Sequence, residues 1–353
     1  MTVFHAGTEM MNLYLSTSSG IGLGSAASGF LESVSTAMRQ NSRCFVYYDT
    51  LDAQKLYSVG TAAINASTAP GGVWWHFRIA REESNSDGYS TGGTVSLGGS
   101  DGNMASDSKS RGLVRIVNRE VLVYNNDTTS YETVASVPDA STVDINVRLD
   151  ATNGFIRIYV NKFPQYYREG NVQMIADWGT QLDTLWGQGA TAVSRVGGFA
   201  INELIVADED TRYKKVISYT LDDAAGINDF TNDIDLINVI NPTAGNSIYA
   251  DSGERTITFS SNTNLSLAST EYIQNVSLVF KGFRAPAYNV KLAALVNDSD
   301  GGDSAEHGTL LDLSADSSST VNIFTLDTNP ATGLAWQSTD LTTYNLGIRT
   351  KPQ

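Results

Sequence analysis

Cysteine is almost missing from this sequence: Cys44 stands alone among 353 residues, so no intrachain disulfide can form. Small secreted modules are commonly stapled by disulfides, so this usage predicts a chain that folds in a reducing cytoplasm. Charge is also scarce, at 17% of residues against roughly 25% in ordinary globular domains. Positive charge is the scarcer kind: residues 221–353 carry 16 Asp/Glu against 6 Lys/Arg, and residues 1–220 carry 22 against 17. Without a basic stripe to displace counterions, nucleic acid is excluded as an expected partner. Histidine occurs three times, at His5, His76 and His307, in no close pair and no HExxH pattern, which argues against a zinc centre. No apolar run approaches the ~18 residues of a membrane-spanning helix, so no membrane insertion is expected. The opening stretch, residues 1–12, includes His5 and Glu9 and lacks the apolar core of a secretory signal.

Ser, Thr, Asn and Gly fill the space that charged residues leave, and they suit turns and solvated strand faces. Short runs of alternating polarity recur from residue 44: CFVYYDT (44–50), KLYSVG (55–60), GVWWHFRIA (72–80), GLVRIV (112–117), EVLVYNN (120–126), TVDINVRLD (142–150) and GFIRIYVN (154–161). Their spacing predicts an antiparallel sandwich rather than alternating strands and helices. In the last run, Ile156, Ile158 and Val160 fall on one face and Phe155, Arg157 and Tyr159 on the other, so one face is committed to a core. Cys44, followed by Phe45, Val46 and Tyr47, is expected at a buried strand position. Asn118-Arg119 and the Asp150–Gly154 stretch read as hairpin turns, the latter through positive φ at Asn153-Gly154. The glycine-rich stretch 84–110 contains TVSLGG, a further strand candidate, whereas 166–191 reads as irregular, with room for a short turn between Met174 and Leu185. One short helix is expected within 28–41, where Phe30, Leu31, Val34 and Met38 are spaced helically behind Ser28.

VGGFAINELIVADED (196–210) and YKKVISYTL (213–221) read as the last strands of a first domain, residues 1–221, with a polar boundary at 222–233. Residues 222–353 hold their own strand set, at 255–261, 272–285, 288–298, 320–327 and 343–350, enough for a smaller, acidic second sandwich. Polar connections are expected at 297–308 and 311–320, and DTNPATGLAW (327–336) reads as an ordered turn pinned by Trp336. The fold class is therefore all-β, two β-sandwich (jelly-roll) domains in tandem with few short helices.

Aromatic side chains are the leading ligand candidates, because saccharide faces stack on them. Tyr166, Tyr167, Trp178 and Trp186 are placed in loops following a strand end; their other reading is packing or a subunit interface. Trp74 and Trp75 must point to opposite faces of one strand, so one is core and the other inter-domain or exposed. Asp298, Asp300, Asp303 and Glu306 offer hard oxygen ligands for calcium, as does the run Asp208, Glu209, Asp210; neither matches the full helix-loop-helix spacing, and the competing reading is a solvated turn. No other cofactor is implied. His76, between Trp75 and Phe77, reads as a hydrogen-bonded structural histidine. No GxSxG elbow is present, and among 38 Asp/Glu nothing singles out a carboxylate pair for glycoside hydrolysis. Glu203 is the one carboxylate carried forward for a cleft, against an outward-facing polar residue near a strand end.

GVWWHFRIA, TVDINVRLDATNGFIRIYVNKF and VGGFAINELIVADEDTR together resemble the concanavalin A-like lectin or laminin-G-like jelly roll, with Asn202 where that pattern commonly has Asp. MTVFHAG at the start, NELIVADEDTR, and the late DTNPATGLAWQSTDLTTYNLGIR resemble virion proteins of tailed bacteriophages, of the minor tail or tail-tip type. The resemblance covers residues 43–221 well and 255–350 more loosely. It implies a virion structural protein without enzymatic activity, assembled in the host cytoplasm with other virion proteins as a homo-oligomer, a trimer or hexamer, and contacting host-surface glycan. The alternatives are a capsid decoration or joining protein with no ligand, and a polysaccharide-degrading enzyme.

Overall fold

The computed structural model describes residues 3–7, 28–32, 44–48, 54–58, 70–82, 94–99, 112–117, 119–138, 141–188, 198–216, 224–229, 253–259, 267–282, 289–298, 304–313 and 320–353. The chain divides into two compact units, Met1–Ser218 and Tyr219–Gln353. Fourteen strands of the first unit are β1 (Val3–Gly7), β2 (Ser28–Glu32), β3 (Cys44–Tyr48), β4 (Gln54–Ser58), β5 (Val73–Glu82), β6 (Thr94–Gly98), β7 (Val114–Val117), β8 (Glu120–Asn125), β9 (Ser130–Ser136), β10 (Ser141–Arg148), β11 (Phe155–Val160), β12 (Phe163–Glu169), β13 (Thr184–Gln188) and β14 (Gly198–Ala207). They form an eight-stranded sheet in the order β12-β11-β10-β5-β14-β3-β2, with β1 also on β14, and a six-stranded sheet in the order β4-β13-β6-β7-β8-β9.

The alternation read from the sequence builds this sandwich directly. Val143, Ile145 and Val147 of β10 pair with Val160, Ile158 and Ile156 of β11, and with Phe77, Trp75 and Val73 of β5. These side chains meet Val95, Leu97, Val114, Ile116, Val121, Val123 and Leu185 from the smaller sheet in one buried cluster. Each such side chain contributes about 1.5–3 kcal/mol by leaving water, so this face sets the register.

Turn chemistry follows the sequence in part. Arg119, between β7 and β8, adopts φ 67°, as a two-residue hairpin requires. The β10–β11 turn differs from expectation: neither Asn153 nor Gly154 has positive φ. The Asp150 carboxylate instead accepts the backbone N–H groups of Thr152 and Asn153, at 2.7 and 2.8 Å. Gly154 is needed for room, because a Cβ there would sit 2.3 Å from the Asp150 carbonyl oxygen.

Three further expectations are corrected. Residues 28–32 form strand β2 paired with β3, so edge pairing overrides helical spacing there; the rest of that span, 33–41, lies outside the described residues. Residues 213–216 are not strand, because Arg212 is tied back to Asp210 and Lys214 N–H closes a turn on the Thr211 carbonyl. The stretch expected to be irregular after Tyr166 contains the end of β12, a 3-10 turn at Ala176–Trp178 and strand β13.

The second unit contains β15 (Ala224–Asn228), β16 (Thr256–Phe259), β17 (Val276–Gly282), β18 (Val290–Asp298), β19 (Ser304–Asp312), β20 (Thr320–Leu326), the helical turn α1 (Asp340–Thr343) and β21 (Tyr344–Pro352). A five-stranded sheet, β15-β16-β21-β18-β19, and a β17-β20 pair enclose Leu292, Ala294, Val296, Leu278, Phe324 and Trp336. The Trp336 indole N–H donates to the Leu326 carbonyl at 2.9 Å, pinning the 327–336 turn as expected. Part of the polar stretch at 297–312 is strand rather than connection: β19 runs through it in register with β18, with Glu306 opposite Leu295.

Candidate functional site

The large sheet of the first unit has a second face, turned away from the core, and period-two geometry dictates what stands on it. Because Val73, Trp75 and Phe77 face inward, Trp74 and His76 face outward; by the same rule β10 offers Asp144 and Asn146, and β11 offers Phe155, Arg157 and Tyr159. Tyr167 of β12 is the register partner of Arg157 and joins this face. On β14 a bulge between Asn202 and Ile205 shifts the phase, so that Ile201, Leu204 and Val206 all enter the core.

The centre of this face is a dry polar cluster. His76 and Asp144 are cross-strand partners, and the imidazole Nδ1 donates to the Asp144 carboxylate at 2.7 Å. The hydroxyl of Thr211 donates to the same oxygen at 2.8 Å, which fastens the segment after β14 to the sheet. Glu203 sits at the bulge with φ 56° and is 2% exposed. Its carboxyl is pushed above the usual carboxylate range by burial, against the pull of the nearby charges of His76, Arg78 and Lys215. The outward-facing reading of Glu203 is therefore overturned: the bulge carries it out of simple alternation and under cover.

Around this cluster runs a ladder of aromatic rings and cations. Trp74 stacks on Tyr159 with centroids 5.7 Å apart, and the Arg212 guanidinium lies 4.3 Å from the Tyr159 ring centre. Lys162 caps Tyr213 at 5.1 Å, and Arg157 lies between Phe155 and Tyr167 at 4.4 and 5.3 Å. Trp74 and Trp75 do take opposite faces, but both are buried, since Trp74 is covered by this ladder. Toward the β12 edge the face opens into a groove of about 450 Å³ lined by Arg157, Tyr159, Pro164, Gln165, Tyr166 and Tyr167.

The four aromatic candidates part company here. Tyr166 and Tyr167 lie on edge strand β12 rather than in a loop, and both line the groove; Tyr167 is 54% exposed, whereas Tyr166 packs partly against the core. Burial raises the Tyr166 phenol above its ordinary value, so it is neutral at physiological pH. Trp178 and Trp186 are each 3% exposed and pack together with Tyr124, Tyr131, Met174 and Ile175. Leu185 takes the core side of β13, so Trp186 points away from it, and residues 174–178 fold over the indole. Neither tryptophan can offer a ring to a ligand in this arrangement.

Among the described residues, the calcium candidates stand apart from one another. The Glu306 carboxylate pairs with Arg349 and with Lys351, and these cations outweigh burial to hold it below its ordinary pKa. Asp298 ends β18 opposite Tyr344, and Asp300 and Asp303 lie outside the described residues. In the other acidic run, Asp210 is held by Arg212 and Glu209 by Lys214. Among the described residues no three metal-ligating side chains come together.

Sequence reasoning placed Phe155, Arg157 and Tyr159 on the face opposite the core but attached no role to them. Arg212 and Thr211 were missed because the chain must turn back after β14 before they reach the sheet.

The fold and this face define a two-sheet β-sandwich with an aromatic and cationic groove on the edge of its larger sheet. No family model matches the chain, and no curated protein matches it. Among solved structures it is similar to the conserved carbohydrate esterase of Shiga toxin-encoding bacteriophage phi24B, with 12% identity over 58% of this chain and 97% of that one and a TM-score of 0.36. It is similar to lectin UEA-II complexed with galactose, with 10% identity, 51% and 84% coverage and a TM-score of 0.30. A sialidase is similar with 10% identity over 53% of this chain and a TM-score of 0.30, and the chain spans 19% of that protein's length.

Proposed function

We propose that this chain is a non-catalytic phage virion protein, of the tail or tail tip, that contacts host-surface glycan through the groove on β11 and β12. The observation that carries the glycan contact is the groove itself: at about 450 Å³ it lies within the ~300–1,000 Å³ typical of ligand sites. It combines the exposed ring of Tyr167 with the Gln165 amide and phenol hydroxyls, the pairing of stacking plane and hydrogen-bonding groups that a sugar ring needs. Its lining includes no carboxylate, whereas hydrolysis of a glycosidic bond by the usual route needs two flanking it. The buried Glu203 and Asp144 are held within the central cluster and are absent from that lining.

The virion assignment is supported by the sequence resemblance and by the lone cysteine, which suits assembly in a host cytoplasm. Immunogold labelling of intact particles tests it: signal at the distal tail agrees with it, and particles without signal overturn it. Glycan contact is tested by titrating purified protein against an oligosaccharide array, with Tyr167→Ala as the variant that should lose binding.

A second reading, a joining or decoration protein on the same particle, is favoured by Phe163, which is 69% exposed on edge strand β12. An apolar ring on a free sheet edge is the kind of surface that a neighbouring subunit covers. Regular copies over the capsid shell would establish that reading.

A further inference from the structure

We infer that the groove selects saccharides bearing a carboxylate, such as uronic or sialic acid residues, and that Arg157 is the group that reads it. This rests on the glycan reading above and adds a ligand class to it.

Among the described residues Arg157 makes no ion pair, a state it shares with Arg115 and Lys162, which lie against the Tyr131 and Tyr213 rings; of these three cations it alone lines the groove. Among the described residues Arg148 pairs with Asp150, Arg168 with Asp127, Arg212 with Asp210 and Lys214 with Glu209. Glu169, opposite Phe155 on β12, makes no ion pair with Arg157. In a chain of formal net charge −15, an unanswered guanidinium at the mouth of a groove is a specific local feature.

Its setting prepares it for a planar oxyanion. The guanidinium carbon lies 4.4 Å from the Phe155 ring centre and 5.3 Å from that of Tyr167, so the two rings occupy its flanks and restrict its rotation. What remains for a ligand is the edge that carries the N–H donors, and that edge matches a carboxylate in bidentate fashion. A guanidinium is weakly hydrated, so exchanging its water for a carboxylate costs less than it would for an ammonium group. Tyr159 and Pro164, register partners across β11 and β12, complete the lining beside Arg157. The Tyr166 phenol is held neutral first by burial and then by the Glu132 carboxylate beside it, whose charge Arg168 opposes.

An array of matched oligosaccharides tests the inference on the full chain. It should hold uronate- and sialate-containing glycans, their methyl esters, sulfated counterparts and neutral glycans, read at two salt concentrations. The expected result is at least about tenfold tighter binding of a carboxylated glycan than of its methyl ester, weakening with salt. Arg157→Gln should abolish that difference while circular dichroism and the thermal midpoint stay unchanged, and Tyr167→Ala should weaken both forms. Equal binding of acid and ester, a preference for the sulfated glycan, or a preference that survives in Arg157→Gln overturns the inference and leaves glycan contact standing. Binding to no glycan of the array overturns both. Should Arg157→Gln unfold, Arg157→Lys replaces it: a compact ammonium keeps the charge, and the preference is expected to fall because the two-pronged edge is lost.

Discussion

His76 and Asp144 face each other directly across the β5–β10 pairing, joined by a 2.7 Å hydrogen bond and almost fully removed from water, at 2% and 0% exposure. A carboxylate so placed holds three parts of the chain at once: its own strand, β5 through the imidazole, and the segment after β14 through Thr211.

Replacing Asp144 by Ala should therefore cost about 3 kcal/mol, because the imidazole and the hydroxyl lose a shared acceptor without gaining water. Chemical denaturation measures this. A loss below ~1 kcal/mol would show that the cluster does not tie these elements together.

Glu203 gives the first unit a signed pH dependence. Its folded carboxyl titrates above its unfolded value, so the stability tied to its protonated form is complete below the ordinary Glu value and is lost as pH rises through the folded one. Glu203→Gln removes that loss. The thermal midpoint of the variant relative to the parent is expected to rise as pH goes from about 4 to about 8. A constant difference across that range would contradict the assignment.

Glu306 carries the opposite sign in the second unit. Arg349 and Lys351 outweigh burial and lower its folded pKa, so its contribution is present above the unfolded value and disappears as pH falls through the folded one. Glu306→Gln should narrow the stability gap between neutral and acidic pH by less than about 1 kcal/mol, since the network is partly solvated. Paired melts at the two pH values give the comparison.

Gly347 sits where a side chain has no room: a Cβ would lie 2.2 Å from the Ile257 carbonyl oxygen and 3.0 Å from the Thr258 Cα. Because the obstruction is backbone of the adjoining strand, Gly347→Ala should destabilise the second unit by about 1–3 kcal/mol. Gly333→Ala meets no neighbouring atom and bears only the strain of φ 69°, so it should cost less. Comparing the two variants by thermal melting separates crowding from strain.

The buried tryptophans yield a negative control for ligand binding. Trp178→Phe keeps an aromatic against Tyr124, whose ring centre is 4.7 Å away, so glycan affinity should stay within about twofold of the parent while stability falls. A large loss of affinity in this variant with the fold intact would return Trp178 to the candidate ligand set.

Much of the architecture follows from local pattern. The residues of β11 alternate so strictly that its two faces are legible in the sequence, and Phe155, Arg157 and Tyr159 stand opposite the core-facing Ile156, Ile158 and Val160; on β5 the sequence shows only that Trp74 and Trp75 oppose each other, and pairing with β10 decides that Trp75 is the inner one. Trp336 as a pin for the late turn followed from composition around Pro330 and Gly333. Local pattern misled where one extra residue or one long-range pairing decides. At Glu203 a bulge resets the period, and at residues 28–32 pairing with β3 outweighs a helical spacing that is real in the sequence. Trp186 looked available because its neighbours are irregular in composition, and only the folding of residues 174–178 over it shows that it is covered.

Sequence alone thus determined the all-β class, the two faces of β11 and the scarcity of cysteine, histidine and positive charge. Tertiary structure decided which aromatics remain outside and which acids are already paired. It also decided that Arg157 stands between two rings without a carboxylate among the described residues. The division has a physical cause: alternation is a property of one strand, whereas exposure and charge pairing depend on segments distant in sequence meeting at one sheet.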